Sequence, residues 1–184
     1  FEPKVDDTLL AQVREQARLA VKDAEVLLFV VDGKSGLTPV DELILEELRG
    51  AGKALLLVVN KIDGSRDEAA VAEFYRLGID PVAPISAEHG RGIGDLLDLL
   101  VENLPASAPQ EADETDAGRR VCVVGRPNVG KSSLINFLLG QPRHIVDSRP
   151  GTTHDSIDTV IRYHGKEYLF VDTAGIRRKG RVNQ

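Results

Sequence analysis

Apolar residues along this chain fall into short unbroken runs separated by amphipathic stretches. Val26–Val31 and Ala54–Val59 have the length of strands, and Pro81–Ile85 reads as a third. Continuous apolar strands of this kind point to a largely parallel sheet covered on both faces. Helical spacing predicts elements near Asp7–Lys22 (Leu9, Leu10, Val13, Ala17, Ala20, Val21), from Thr38, around Asp67–Arg76 and around Ile93–Leu104. Thr38 followed by Pro39 and Asp41 has the composition of a capping box with proline in the first turn. Further on, Arg120–Val124 predicts a strand, and a helix begins near Lys131. Segments Ser156–Tyr163 and Glu167–Val171 predict a hairpin turning at His164-Gly165. Three strands on each side make six, an α/β architecture with a mostly parallel sheet and helices on both faces.

Pro105–Gly118 breaks this alternation. It carries concentrated acid and almost nothing to bury, so it reads as a flexible linker between residues 1–104 and 119–184. Met is absent, including at position 1, and Gln184 stops in a polar, basic stretch. Both features lead us to expect part of a longer chain. Hydrophobic content of 42% suffices for a core. No apolar run approaches the roughly 20 residues of a membrane span, so no membrane partner is expected. A single cysteine excludes a disulfide framework and favours the cytoplasm. The formal net charge of −6 argues against coating of nucleic acid, and no DNA partner is expected.

The chemistry sits at strand ends. Gly125–Ser132 fits G-x-x-x-x-G-K-[ST] between a strand and a helix. There the amides of Asn128, Val129, Gly130, Lys131, Ser132 and Ser133 can approach phosphate oxygens at a helix N-terminus. Lys131 would bridge terminal phosphates, and the Ser132 hydroxyl would ligate magnesium. Asp172-Thr173-Ala174-Gly175 follows the last predicted strand; Asp172 can hold magnesium, and the Gly175 amide can meet a γ-phosphate. Thr153, in Pro150-Gly151-Thr152-Thr153, would complete the metal shell, with Thr152 the neighbouring choice.

Asn60-Lys61-Ile62-Asp63 ends another strand. The Asp63 carboxylate can accept two hydrogen bonds from guanine, from N1–H and the exocyclic amine, which adenine does not supply. Lys61 can lie over the base and Asn60 can brace the loop. Ser86-Ala87-Glu88 follows the third strand, where the Ala87 amide could meet guanine O6. These residue types also suit an ordinary surface turn, and the pair is more specific than either part. The base-reading residues precede the phosphate loop, the reverse of an ordinary small GTPase. Either one G domain is circularly permuted, or the chain joins halves of two tandem domains.

Three of these stretches resemble the EngA/Der family of bacterial GTPases, which carry two consecutive G domains. Gly125–Asn136, Pro150–Thr153 and Asp172–Gly180 resemble the first half of its second G domain. Phe1–Leu104, with Asn60–Asp63 and Ser86–Gly90, resembles the second half of its first. The resemblance implies a P-loop NTPase fold of the Ras-like G-domain type, GTP/GDP as ligand, Mg2+ as cofactor, and slow hydrolysis coupled to assembly of the large ribosomal subunit. Lys131, Thr153 and Gly175 would then be the catalytic set, with magnesium on Ser132, Thr153 and Asp172. Similar GTPases with Asn at the Asn128 position use potassium, which implies K+ here as well. His154 departs from the family's usual Arg. Ile176 stands where Ras-like enzymes place a water-orienting Gln, which agrees with slow turnover. Whether Asp63 and Lys131 share one nucleotide stays open at this stage, as does a nucleotide-gated binding module with little hydrolysis.

Overall fold

The computed structural model describes residues 18, 20–65, 67–104, 119–140 and 159–172. Six strands form one sheet in the order β3-β2-β1-β4-β6-β5. The first three are β1 (Val26–Asp32), β2 (Ala54–Asn60) and β3 (Val82–Pro84), and the others are β4 (Arg119–Val124), β5 (Thr159–Tyr163) and β6 (Lys166–Asp172). All neighbours pair in parallel except β5 with β6, the hairpin expected around His164-Gly165. The seam between the two predicted halves is β1 against β4, with Val26 opposite Val121 and Phe29 opposite Val124. Strands from both sides of the linker therefore lie side by side in a single sheet. The linker and residues 7–17 of the helix expected over Asp7–Lys22 lie outside the described residues; residues 20–23 are helical.

Helices α1 (Pro39–Arg49), α2 (Glu68–Phe74), α3 (Ile93–Asn103) and α4 (Lys131–Gly140) cover the sheet. Alternate residues of β1 explain why both faces are apolar. Val26, Leu28 and Val30 face α3 and α4 through Leu96, Leu100, Leu134 and Leu138. Leu27, Phe29 and Val31 face α1 and α2 through Leu45, Leu48, Val71 and Phe74. The capping box forms as its composition predicts: the Asp41 amide donates to Thr38 Oγ1 at 3.4 Å and the Thr38 amide to Asp41 Oδ2 at 3.0 Å.

Several element boundaries shift from expectation, among them β3, which spans Val82–Pro84 rather than Pro81–Ile85. Strands β1 and β2 each run one residue further, because Asp32 and Asn60 stand opposite each other in register. The helix expected to reach Arg76 tightens into a 3-10 turn over Tyr75–Leu77, with Gly78 left-handed at φ 60°.

Candidate nucleotide site

The carboxyl ends of β1, β2, β3 and β4 open onto one edge of the sheet, where parallel α/β folds place their ligand crevice. Asn60 is the hub of that edge. Its side chain is almost fully buried, donating from Nδ2 to the Val129 carbonyl at 2.7 Å and accepting at Oδ1 from the Ala87 amide at 2.9 Å. Its own carbonyl accepts from the Gly33 amide at 2.8 Å. One residue thus ties together the loops after β1, β3 and β4. The amide of Ala87, expected to meet guanine O6, is already committed to Asn60; a base oxygen there would share or displace that bond.

The phosphate loop follows β4. Gly125 sits so close to β1 that a Cβ would overlap the Val30 carbonyl. Gly130 has φ 101°, and a Cβ there would run into Asn60 Nδ2. Two of the motif's glycines are therefore demanded by packing inside the protein, apart from any phosphate. Lys131 is buried, and its Nζ donates to the carbonyls of Gly125 at 2.8 Å and Arg126 at 2.9 Å, closing the loop on itself. Val129 is buried, Asn128 is exposed at φ 64°, and Ser132 and Ser133 are exposed in the first turn of α4. The positive end of a ten-residue helix makes that turn attractive to an anion.

Arg126, within the loop, reaches back across the seam. Its Nε lies 3.2 Å from Oδ1 of the buried Asp41, and its Nη2 donates to Ser35 Oγ at 2.5 Å. Asp41 thereby caps α1 with one oxygen and faces the Arg126 guanidinium with the other, close enough to pair in charge but not aligned for a hydrogen bond. A carboxylate this deeply covered needs such a partner.

Around the Asn60–Asp63 turn, the carboxylates are engaged. Asp32 Oδ2 pairs with Lys61 Nζ at 2.6 Å, while Oδ1 accepts from the amides of Lys34 at 3.0 Å and Ser35 at 3.3 Å. Burial pushes the Asp32 carboxyl up, but Lys61 and the two amides outweigh it and hold it below its ordinary value. Asp63 accepts from Ser86 Oγ at 2.6 Å on Oδ1 and pairs with Lys34 Nζ at 2.5 Å on Oδ2. The Lys34 contact, followed by that of Ser86, holds Asp63 below its ordinary carboxyl value. Asp67 steadies the turn, accepting from the amides of Asp63 and Gly64 at 3.1 Å each.

Asp172 ends β6 opposite Val123 of β4, so its backbone reaches the same edge. Thr153 and Gly175 lie outside the described residues. The structure thus gathers Asn60, Lys61, Asp63, Ser86, Ala87 and the run Asn128–Ser133 on one edge. Asp32, Lys34, Asp41 and Arg126 join them without having been expected. For Asp32 and Lys34 a signal was present: a polar, glycine-containing turn, Asp32–Gly36, directly after an apolar strand.

Residues 120–184 match the family described as 50S ribosome-binding GTPase. Over all 184 residues the chain is 53% identical to GTPase Der of Syntrophotalea carbinolica and 48% identical to GTPase Der of Geotalea uraniireducens. It is 46% identical over the same length to GTPase Der of Clostridium novyi. The whole chain is covered each time, but only 41–42% of the relative, so it spans about two-fifths of their length. Its residues 120–184 thus match a GTPase family model, and its full length is similar, at about half identity, to part of the Der GTPases.

Proposed function

We propose that this chain binds GDP and GTP in one pocket assembled from both sides of residues 105–118, and that it hydrolyses GTP. The observation that carries the reading is the buried bond from Asn60 Nδ2 to the Val129 carbonyl, which joins the base-reading turn to the phosphate loop. Asp63 and Ser86-Ala87 would receive the guanine edge. The amides of Asn128–Ser133 and the Lys131 ammonium would receive the phosphates. Lys131 would turn from the Gly125 and Arg126 carbonyls to phosphate oxygens, keeping a comparable set of acceptors.

Ser132 and Asp172 offer hard oxygen donors at the loop and the adjacent strand end. Magnesium bound by few protein ligands plus substrate phosphates fits that donor set. Among the described residues no cluster of three or more His, Cys, Asp or Glu offers a separate metal site. Thr153 would add a metal ligand and Gly175 a γ-phosphate contact. When bound, the ion would neutralise charge building on the phosphates.

By likeness to the Der relatives, the longer protein would act on the large ribosomal subunit or its precursor, in the bacterial cytoplasm. Their greater length favours a second reading for that setting. There Asp63 and Lys131 would serve two different nucleotides, each completed by sequence beyond this chain.

The test is nucleotide titration of the 184-residue chain and its Asp63→Asn variant. Xanthine carries an oxygen where guanine carries the exocyclic amine, so an amide at position 63 should favour XDP. A variant that keeps the wild-type preference for GDP would sink the shared pocket. Phosphate release from GTP under single turnover tests the hydrolysis.

A further inference from the structure

Lys34 occupies an acceptor that the proposed function assigns to the base. Asp63 Oδ1 accepts from Ser86 Oγ at 2.6 Å, leaving Oδ2 as the open end of the carboxylate, and that oxygen is held by Lys34 Nζ at 2.5 Å. The lysine comes from a different loop, the turn after β1, whose shape is set independently. Asp32 Oδ1 accepts from the Lys34 and Ser35 amides, and Asp32 Oδ2 engages Lys61, so the Lys34 backbone is anchored while its side chain reaches across to Asp63. The Lys34 side chain is 55% exposed and that of Asp63 26% exposed, so the pair sits at the mouth of the site and can exchange with solvent.

We infer that Lys34 is a built-in competitor for the guanine edge, pairing with Asp63 in the nucleotide-free protein and giving way when the base enters. The inference rests on the guanine-nucleotide reading above and names a specificity-tuning residue within it. A guanine that donates two hydrogen bonds to Asp63 cannot share Oδ2 with an ammonium 2.5 Å away without crowding. The lysine has somewhere to go. Glu88 and Asp67 both act on its charge from nearby, so it can swing off Asp63 toward solvent while remaining in negative surroundings. Lys34, followed by Ser86, favours the carboxylate form of Asp63, the form that accepts from guanine. Occupying Oδ2, Lys34 slightly weakens the net affinity for guanine.

The expected effect is small because the pair is exposed. Lys34→Gln should tighten GDP binding by about two- to fivefold, the scale of an exposed ion pair. Lys34→Arg, which retains the charge, should bind GDP like the wild type. The decisive arm places Lys34→Gln in the Asp63→Asn background and measures XDP by the same titration. A neutral amide forms no ion pair with the ammonium, so the lysine substitution should leave XDP affinity nearly unchanged there. Unchanged or weaker GDP binding by Lys34→Gln would overturn the inference, as would an equal gain for XDP in the double variant. Wild-type protein that fails to bind GDP at all would instead overturn the nucleotide reading, and this inference with it.

Discussion

Asn60 Nδ2 donates to the backbone carbonyl of Val129 at 2.7 Å, a bond between two buried residues on opposite sides of the acidic linker. The same side chain accepts from Ala87, so the base-reading turn, the Ser86 loop and the phosphate loop share one small amide. No other residue type of that size offers a donor and an acceptor in fixed opposition.

Asn60→Ala should therefore strand a buried carbonyl and a buried amide. Unsatisfied groups of this kind cost about 1–3 kcal/mol each, so a loss of about 2–6 kcal/mol is expected in urea unfolding. Nucleotide affinity should fall with it. A loss below about 0.5 kcal/mol would mean water or a backbone shift replaces both bonds, and the hub assignment would fail.

Gly130→Ala isolates the loop's packing demand. A side chain at φ 101° is strained, and its Cβ would collide with the Asn60 amide. We expect about 2–3 kcal/mol of destabilisation. Gly140→Ala, at a position with open space around it, is the control and should be neutral or stabilise by up to about 1 kcal/mol. Similar losses for both variants would remove the steric argument.

The hairpin of β5 and β6 is tied to α3 by titratable groups. Tyr163 Oη donates to Asp98 Oδ1 at 2.7 Å, and that bond to a carboxylate, with some desolvation, pushes the phenol up to about 12. The bond is intact below the ordinary phenol value near 10. Its contribution to stability should vanish as pH rises from there through about 12, since the unfolded phenol ionises first. Ultraviolet titration of phenolate should show a late component that Asp98→Ala shifts back toward 10. No change in that component would show that Asp98 does not hold Tyr163 in solution.

Asn128 is exposed at the crest of the phosphate loop with φ 64°. If it helps hold a monovalent cation beside the phosphates, GTP turnover should be several-fold faster in potassium than in sodium. Asn128→Ala should abolish the difference. Equal rates in the two salts would eliminate the cation and leave Asn128 as a loop-shaping residue.

Much of this molecule is legible in its residue pattern. Unbroken apolar runs such as Val26–Val31 can be buried only between two helical layers, and the alternation of residues facing one layer or the other along β1 follows from the pleat. The Thr38 cap and the His164-Gly165 turn are local, each decided within a few residues, and both form as their composition predicts. Glycine loops and an Asn-Lys-x-Asp turn directly after strands announce nucleotide chemistry because short side chains and turn residues occur there together. Periodicity does not report which loops meet. Asp32 with Lys61 and Lys34 with Asp63 are each separated by 29 residues, and Arg126 crosses the β1–β4 seam to Asp41. Those pairings depend on strand order, and strand order is set by burial of whole apolar faces. Sequence alone therefore determined the elements and the kinds of chemistry at their ends. Only the packing of β4 against β1 decided that the base-reading turn and the phosphate loop stand on one edge, joined through Asn60.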